Sequence, residues 1–177
     1  MRLFLEHGFE ATTLDDIAAA ADVSRRSLFH YFGSKEEIVF STKADFPALV
    51  AEAIGRRPVE EPLLDMVENA FVELAARHIS EPARNLARLI QDTPALSAGD
   101  QAKYEKVERV LAKALAEQKG RSENDLECRV TATTAIGILK LSTQAWLAEP
   151  NTGPDTFGKA AFAALRQVVS QTSGGRE

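Results

Sequence analysis

The segment TTLDDIAAAADVSRRSLFHYFGSK, residues 12–35, carries three helix-start signals in close succession. Thr13, Ser24 and Ser34 each offer a side-chain oxygen that can accept a hydrogen bond from a free N–H in the first turn of a helix. An acidic residue stands three positions after Thr13 and after Ser34, which is the spacing of a capping box. The segment therefore predicts two short helices joined by a tight turn, followed directly by a further helix.

Two short helices separated by the turn Ala21-Asp22-Val23 have the layout of a helix-turn-helix. Val23 and Leu28 flank the start of the second helix at the spacing of a hydrophobic staple. Asp22 falls where such turns require a left-handed backbone, which aspartate tolerates better than most residues other than glycine. We expect the second helix to begin at Ser24.

The first turn of this second helix is unusual in its charge. It carries Arg25 and Arg26, and Ser27 stands at the third position, where Asp16 and Glu37 stand in the neighbouring helices. Cations at a helix N-terminus oppose the helix dipole. The arrangement disfavours folding slightly and favours a polyanionic partner, so it predicts a DNA recognition helix. An ordinary solvated helix end is the alternative interpretation.

The overall charge limits that prediction. The chain has 177 residues, a net charge of −5 and 45% apolar residues. Residues 1–43 contain five basic and seven acidic residues, so phosphate neutralisation has to be local. Cys128 is the single cysteine, and no apolar run is long enough to span a membrane. We therefore expect a cytoplasmic protein with no disulfide within the chain and no membrane partner.

Helical periodicity continues to the end of the chain. Pro47 predicts a kink or restart of the fourth helix near Asp45, and later helix starts are expected at Ser97 and Ser122. The predicted fold class is all-α with about nine helices. The predicted domains are 1–43, a helix-turn-helix DNA-binding domain, and 44–177, a helical regulatory, ligand-binding and dimerisation domain. The first helix lacks an N-cap and a run-in, so we expect this helix to be truncated.

Residues 1–43 resemble the N-terminal domain of the tetracycline-repressor (TetR) family of bacterial regulators. The matching positions are Leu3-Phe4, Gly8-Phe9, Thr12-Thr13, Asp16-Ile17-Ala18, Ala21, Val23-Ser24, Leu28-Phe29, Tyr31-Phe32 and Ser34-Lys35-Glu36. Asp22 departs from the family, which usually has glycine in the turn. The chain further resembles the branch with an acyl-CoA-like ligand-binding C-terminal domain, through Ser24–Phe32 together with Thr93-Pro94-Ala95-Leu96 and Trp146-Leu147.

The resemblance implies a ligand-responsive transcriptional regulator, with repression as the expected mode, that binds palindromic double-stranded operator DNA. Base-edge contacts are expected from Arg25, Arg26, Ser27 and Phe29, since arginine recognises guanine through O6 and N7. Phosphate contacts are expected from Thr13, His30, Tyr31 and Lys35.

One short helix contacts few base pairs, so we expect a homodimer on a two-fold symmetric site. The predicted dimer stripe on the last helix consists of Phe157, Ala161, Leu165 and Val168. Small residues on the preceding helix, Ala132, Ala135 and Gly137, would let helices approach closely. The alternative is that both stripes belong to the core.

By the same resemblance, a small hydrophobic effector, acyl-CoA-like in the branch named above, is expected to bind among helices four to eight and release the DNA. A ligand does this only by binding one arrangement of the protein better than the other. The candidate lining residues are Met66, Phe71, His78, Leu89, Thr134, Ile138 and Trp146. Apolar residues at this spacing also fit an ordinary core.

Other classes of function have less support in the sequence. The three histidines are scattered, and no H-E-x-x-H or G-x-S-x-G motif is present. Gly33-Ser34-Lys35 lacks the glycine spacing of a phosphate loop. The sequence thus predicts no enzyme, no cofactor and no metal, and Cys128 is expected to be a buried small residue. A helical adaptor whose N-terminal domain binds a protein remains the alternative.

Overall fold

In the computed structural model, residues 1–42, 44–78, 80–149 and 152–173 are described. Within these ranges the chain forms ten α-helices and no strand, so the predicted all-α class is confirmed. None of the described helices is long and apolar enough to cross a membrane. The helices are α1 Arg2–His7, α2 Leu14–Ala20, α3 Arg25–Tyr31, α4 Lys35–Ser41, α5 Phe46–Gly55, α6 Leu63–His78, α7 Glu81–Asp92, α8 Pro94–Gln118, α9 Leu126–Ala148 and α10 Pro154–Ser173.

The segment after Ser34 forms two separate helices, α4 and α5. α4 ends at Ser41 and α5 begins at Phe46, so the restart predicted near Asp45 is confirmed. Pro47 lies in the first turn of α5, where the missing N–H costs no intrahelical hydrogen bond.

Two predicted helix starts were wrong. α8 begins at Pro94, so Ser97 lies inside the helix, and proline at the first helical position explains the earlier start. The carbonyl of Thr93 accepts hydrogen bonds from the N–H groups of Leu96 and Ser97. α9 is capped by Asp125, whose side chain accepts a 3.0 Å hydrogen bond from the Cys128 N–H, and not by Ser122.

The chain forms two compact units. The first unit comprises Met1–Phe46 and Glu81–Lys103, and the second comprises Pro47–Ser80 and the described part of Tyr104–Glu177. α8 therefore contributes its N-terminal part to the first unit and the rest to the second. The domain boundary that the sequence predicts after residue 43 stays a prediction.

The first unit has a core built from α1, α4, α7 and the start of α8. Its buried residues are Phe4, Phe9, Val39, Leu86, Ile90 and Leu96, and Ile17, Ile38, Phe40 and Leu89 pack against them. A helix of six residues is marginal on its own, so α1 depends on this packing. Buried Thr12 adds a 2.7 Å hydrogen bond from its hydroxyl to the Gly8 carbonyl, which fixes the turn between α1 and α2.

The second unit packs α10 against both α9 and α6. Phe162 of α10 is fully buried, as are Met66 and Val67 of α6. Arg166 of α10 forms ion pairs with Asp65 at 2.5 Å and Glu68 at 2.6 Å, so charge pairing joins the same two helices at the edge of this core.

Candidate DNA-binding surface

The start of α3 is capped as the sequence predicts. The Ser24 side chain accepts a 3.0 Å hydrogen bond from the Ser27 N–H, and the two hydroxyl oxygens lie 2.8 Å apart. Leu28 is the buried residue of this helix and faces the interior of the first unit. The other side chains of α3 from Arg25 to Tyr31 are exposed, so this helix presents nearly its whole surface to solvent.

The turn before α3 is closed by a Schellman motif. The Val23 N–H donates to the Ala18 carbonyl at 3.0 Å, and the Asp22 N–H donates to the Ala19 carbonyl at 3.3 Å. Asp22 has φ +53°, the sole positive φ of a non-glycine residue in the described ranges. The left-handed residue that the sequence predicts in this turn is therefore confirmed.

An open concavity of about 480 Å³ lies on α3 and is lined by Arg26, Ser27, Phe29, His30 and Tyr31. The ring of His30 meets that of Tyr31 edge to face with centroids 5.2 Å apart. Tyr31 is 73% exposed and Phe29 is 43% exposed, although aromatic side chains normally gain stability from burial. The surface therefore combines a cation, hydroxyl donors and apolar rings at one place.

The two arginines of this helix have different surroundings. The Arg25 guanidinium donates from Nη1 to Asp15 Oδ2 of α2 at 2.8 Å, and its Cζ lies 5.4 Å from the centroid of the Phe29 ring. The Arg26 side chain makes no hydrogen bond or ion pair with any residue in the described ranges. The guanidinium of Arg26 thus remains available to an anion.

Comparison with known proteins decides the family. Residues 1–42 match the profile of the bacterial regulatory proteins of the tetR family, and residues 61–171 match the MftR C-terminal domain. The second match alone spans more than half of the chain. The chain belongs to the TetR family of bacterial regulatory proteins. It is accordingly a DNA-binding transcriptional regulator.

Individual TetR-family relatives cover most of the chain. It is 29% identical to the protein named mycofactocin biosynthesis transcriptional regulator MftR of Mycobacterium tuberculosis, over 92% of this chain and 83% of that protein. It is 27% identical to the HTH-type transcriptional regulator TcmR of Streptomyces glaucescens, over 93% of this chain and 77% of that protein. The structure of Thermus thermophilus FadR, a TetR-family repressor in complex with lauroyl-CoA, has a similar fold, with a TM-score of 0.61 and 24% identity over 93% of this chain and 88% of that one.

Two residues expected at phosphates are engaged within the first unit. The Thr13 hydroxyl donates to Asp16 Oδ2 at 2.6 Å and accepts from the Asp16 N–H at 3.1 Å. The hydrogen bonds that the Thr13 hydroxyl and, at 2.8 Å, the Thr13 N–H donate to this carboxylate lower the pKa of Asp16. Lys35 Nζ donates to the Phe9 carbonyl at 2.8 Å and to the Glu10 carbonyl at 3.3 Å. Their phosphate contacts stay a prediction.

The candidate effector residues do not lie in one unit. Met66, Ile138 and Trp146 are buried in the second unit, where Phe71 and Thr134 are half-buried. Leu89 packs against the core of the first unit. His78 ends α6, and its side chain lies outside the described residues. A role for these residues in effector binding stays a prediction.

Of the predicted dimer stripe, Val168 is exposed and the other three residues are half-buried. The structure adds an exposed stripe on α9 that the sequence analysis missed, formed by Leu126, Val130 and Leu141 with exposed Gly137 between them. Their helical spacing was a visible signal, but the same spacing also describes core residues.

Cys128 lies in the packed interior of the second unit. Cys128 is fully buried, as expected, and burial raises the pKa of its thiol to about 11. The thiol is therefore protonated at neutral pH and is a poor nucleophile. No group of three potential metal-ligating side chains occurs in the part of the chain that the structure describes.

Proposed function

We propose that this regulator binds palindromic operator DNA as a homodimer, with α3 of each protomer in the major groove, and that a small hydrophobic effector releases it. Arg25, Arg26, Ser27 and Phe29 contact base edges, while Thr13, His30, Tyr31 and Lys35 contact phosphates. The observation that carries the proposal is the exposed guanidinium of Arg26, which has no partner in the described ranges and stands beside exposed Phe29 and Tyr31.

Exposed apolar residues on the last two helices support the homodimer. Leu126 is 71% exposed, and Leu141 and Val168 are each 61% exposed. Apolar side chains left in water on two adjacent helices are typical of an association surface. A second copy bound there would form a two-fold interface and would double the number of base pairs contacted.

We further propose that the effector is an acyl-CoA. Its support is the match of residues 61–171 to the MftR C-terminal domain and the fold shared with a lauroyl-CoA complex. The effector would release DNA by binding preferentially to the arrangement of the two α3 helices that does not fit the operator. Thermal unfolding with lauroyl-CoA, and with free coenzyme A as the control, tests it: stabilisation by lauroyl-CoA alone is expected, and identical curves would exclude this effector.

The DNA-binding proposal is tested with duplexes selected by the protein from a randomised library. We expect a palindromic consensus and binding that weakens steeply with salt. Arg26→Ala should lower the affinity for the selected duplex about tenfold or more, the size of one lost arginine contact. Arg109→Ala, which removes an exposed arginine from α8, is the matched control and should bind as the wild type does.

Two results would contradict the proposal. One is equal affinity of Arg26→Ala and Arg109→Ala for the selected duplex. The other is the absence of any enriched sequence together with salt-independent binding, which would favour a protein partner for the exposed surface of α3.

A further inference from the structure

The ion pair between Asp15 and Arg25 places a negative charge on the surface proposed to meet DNA. Asp15 lies in the first turn of α2, and its carboxylate oxygen is 2.8 Å from Nη1 of Arg25 at the first position of α3. The Asp15 side chain is 60% exposed and that of Arg25 is 62% exposed. The pair is therefore on the outside of the helix-turn-helix.

Such a pair adds little to folding. Exposed ion pairs are weakened by solvent and by the entropy of fixing two side chains, and many contribute nothing measurable. For DNA binding the carboxylate is a cost, because it repels phosphate and offsets half of the positive charge that Arg25 and Arg26 supply together. Asp15 therefore matters mainly through its effect on the position of the Arg25 guanidinium.

Arg25 is held from two directions. Asp15 binds Nη1, and the Phe29 ring lies under the guanidinium with 5.4 Å between Cζ and the ring centroid. The edge formed by Nε and Nη2 makes no bond to another residue in the described ranges. Bidentate recognition of guanine uses such an edge of the planar guanidinium, and a fixed plane permits fewer alternative contacts.

We propose that Asp15 is a specificity-determining residue of the DNA-binding surface. It acts through Arg25 as a positioning residue, fixing the guanidinium so that its free edge meets one base, and its charge repels the phosphate backbone whenever Arg25 is not seated on that base. Discrimination comes from both effects, because the wrong site loses the base contact and keeps the repulsion. This inference rests on the proposed function and gives Arg25 a discriminating contact that depends on Asp15.

The test measures affinity for the selected duplex and for unselected duplex of equal length. The variants are Asp15→Asn, Arg25→Ala and the double variant. Asp15→Glu keeps the charge, and Glu10→Gln removes one exposed carboxylate from the same unit without touching Arg25. Circular dichroism confirms that each variant remains folded.

We expect Asp15→Asn to reduce the ratio of selected to unselected affinity about tenfold, within the range of one bidentate contact, and to raise affinity for unselected duplex. In the Arg25→Ala background the same change should leave the ratio unaltered, because the arginine that Asp15 positions is absent. Asp15→Glu should restore part of the ratio. Glu10→Gln should raise both affinities together and leave the ratio unchanged.

The inference is overturned if Asp15→Asn changes the ratio no more than Glu10→Gln does, or if it lowers the ratio equally with and without Arg25. If the wild-type protein binds its selected duplex, neither of these results contradicts the proposed function. Failure of the wild-type protein to select any duplex overturns both.

Discussion

Lys35 Nζ lies 2.8 Å from the carbonyl oxygen of Phe9 and 4.6 Å from the centroid of the same residue's ring. The ammonium at the first turn of α4 thereby binds the loop between α1 and α2 through both a hydrogen bond and a cation–π contact. The first unit thus uses a charge near its DNA-binding surface to hold its own helices together.

Lys35→Met should therefore lower the free energy of unfolding by about 1–2 kcal/mol, because it removes a charged donor and keeps a side chain of similar length. Urea unfolding followed by circular dichroism measures the loss. Lys106→Met, on the exposed side of α8, is the control and should be neutral. If Lys35 also contacts phosphate, the slope of log affinity for DNA against log salt concentration should be smaller by about one in Lys35→Met than in the wild type. An equal free energy of unfolding for Lys35→Met and Lys106→Met would show that the contact between Lys35 and Phe9 adds no stability.

Asp22→Gly should stabilise the protein by up to about 1 kcal/mol, because the turn holds this residue at φ +53° and glycine adopts that conformation without strain. Asp22→Val should destabilise it by a similar or larger amount. Thermal unfolding checks both. Gly120, with φ +60°, closes α8 in the same manner, so Gly120→Ala provides the reverse comparison. A lower melting temperature for Asp22→Gly would mean that the aspartate side chain itself stabilises the turn.

Asp16 should make stability depend on pH. Hydrogen bonds from Thr13 lower its pKa in the folded state, so its contribution is complete above the unfolded pKa, about 3.9, and is lost as the pH falls through the folded pKa. The stability difference between wild type and Asp16→Asn should be largest near neutral pH and shrink below about pH 4. Unfolding measured across pH tests this, with Glu60→Gln from an exposed turn as the control. A difference that is constant with pH would contradict the prediction.

Gly99→Ala should destabilise the first unit by about 1–3 kcal/mol through overpacking. A Cβ at this position would lie 2.6 Å from a carbon of the Phe40 ring. Lys103 Nζ lies 3.7 Å from the centroid of the same ring. The smaller side chain in Gly99→Ala/Phe40→Leu should recover part of the loss. Gly55→Ala, where the added Cβ has no neighbour within 4 Å, is the matched control. No change in denaturant midpoint for Gly99→Ala would show that the ring moves freely.

Leu141→Glu should convert the proposed homodimer to a monomer, since it places a charge in the exposed apolar stripe of α9. Sedimentation velocity measures the oligomeric state, and affinity for the palindromic duplex should fall with it. Val59→Glu makes the same change at a residue that is exposed but lies outside α9 and α10. A dimer that persists in Leu141→Glu and in Val168→Glu would exclude this surface as the interface.

The helix class and the local geometry of the helix-turn-helix follow from residues that are close together in the sequence. The caps at Thr13, Ser24 and Ser34 and the left-handed Asp22 were predictable because each depends on residues within five positions of one another. The wrong helix starts at Ser97 and Ser122 were also predicted from local signals, and at these two places the local signals are ambiguous. Several residues near each of those helix starts can serve as caps, and Pro94 and Asp125 form the starts that the packed helices adopt.

The contacts of the individual charged and apolar side chains depend instead on how the helices pack. Asp15 meets Arg25 and Lys35 meets Phe9 because the helices that carry them fold into one compact unit, and no local spacing encodes those pairs. The exposed stripe of α9 has the same periodicity as buried positions on that helix. Burial is set by which neighbouring helix covers a face, and that is a property of the packed chain and not of the segment.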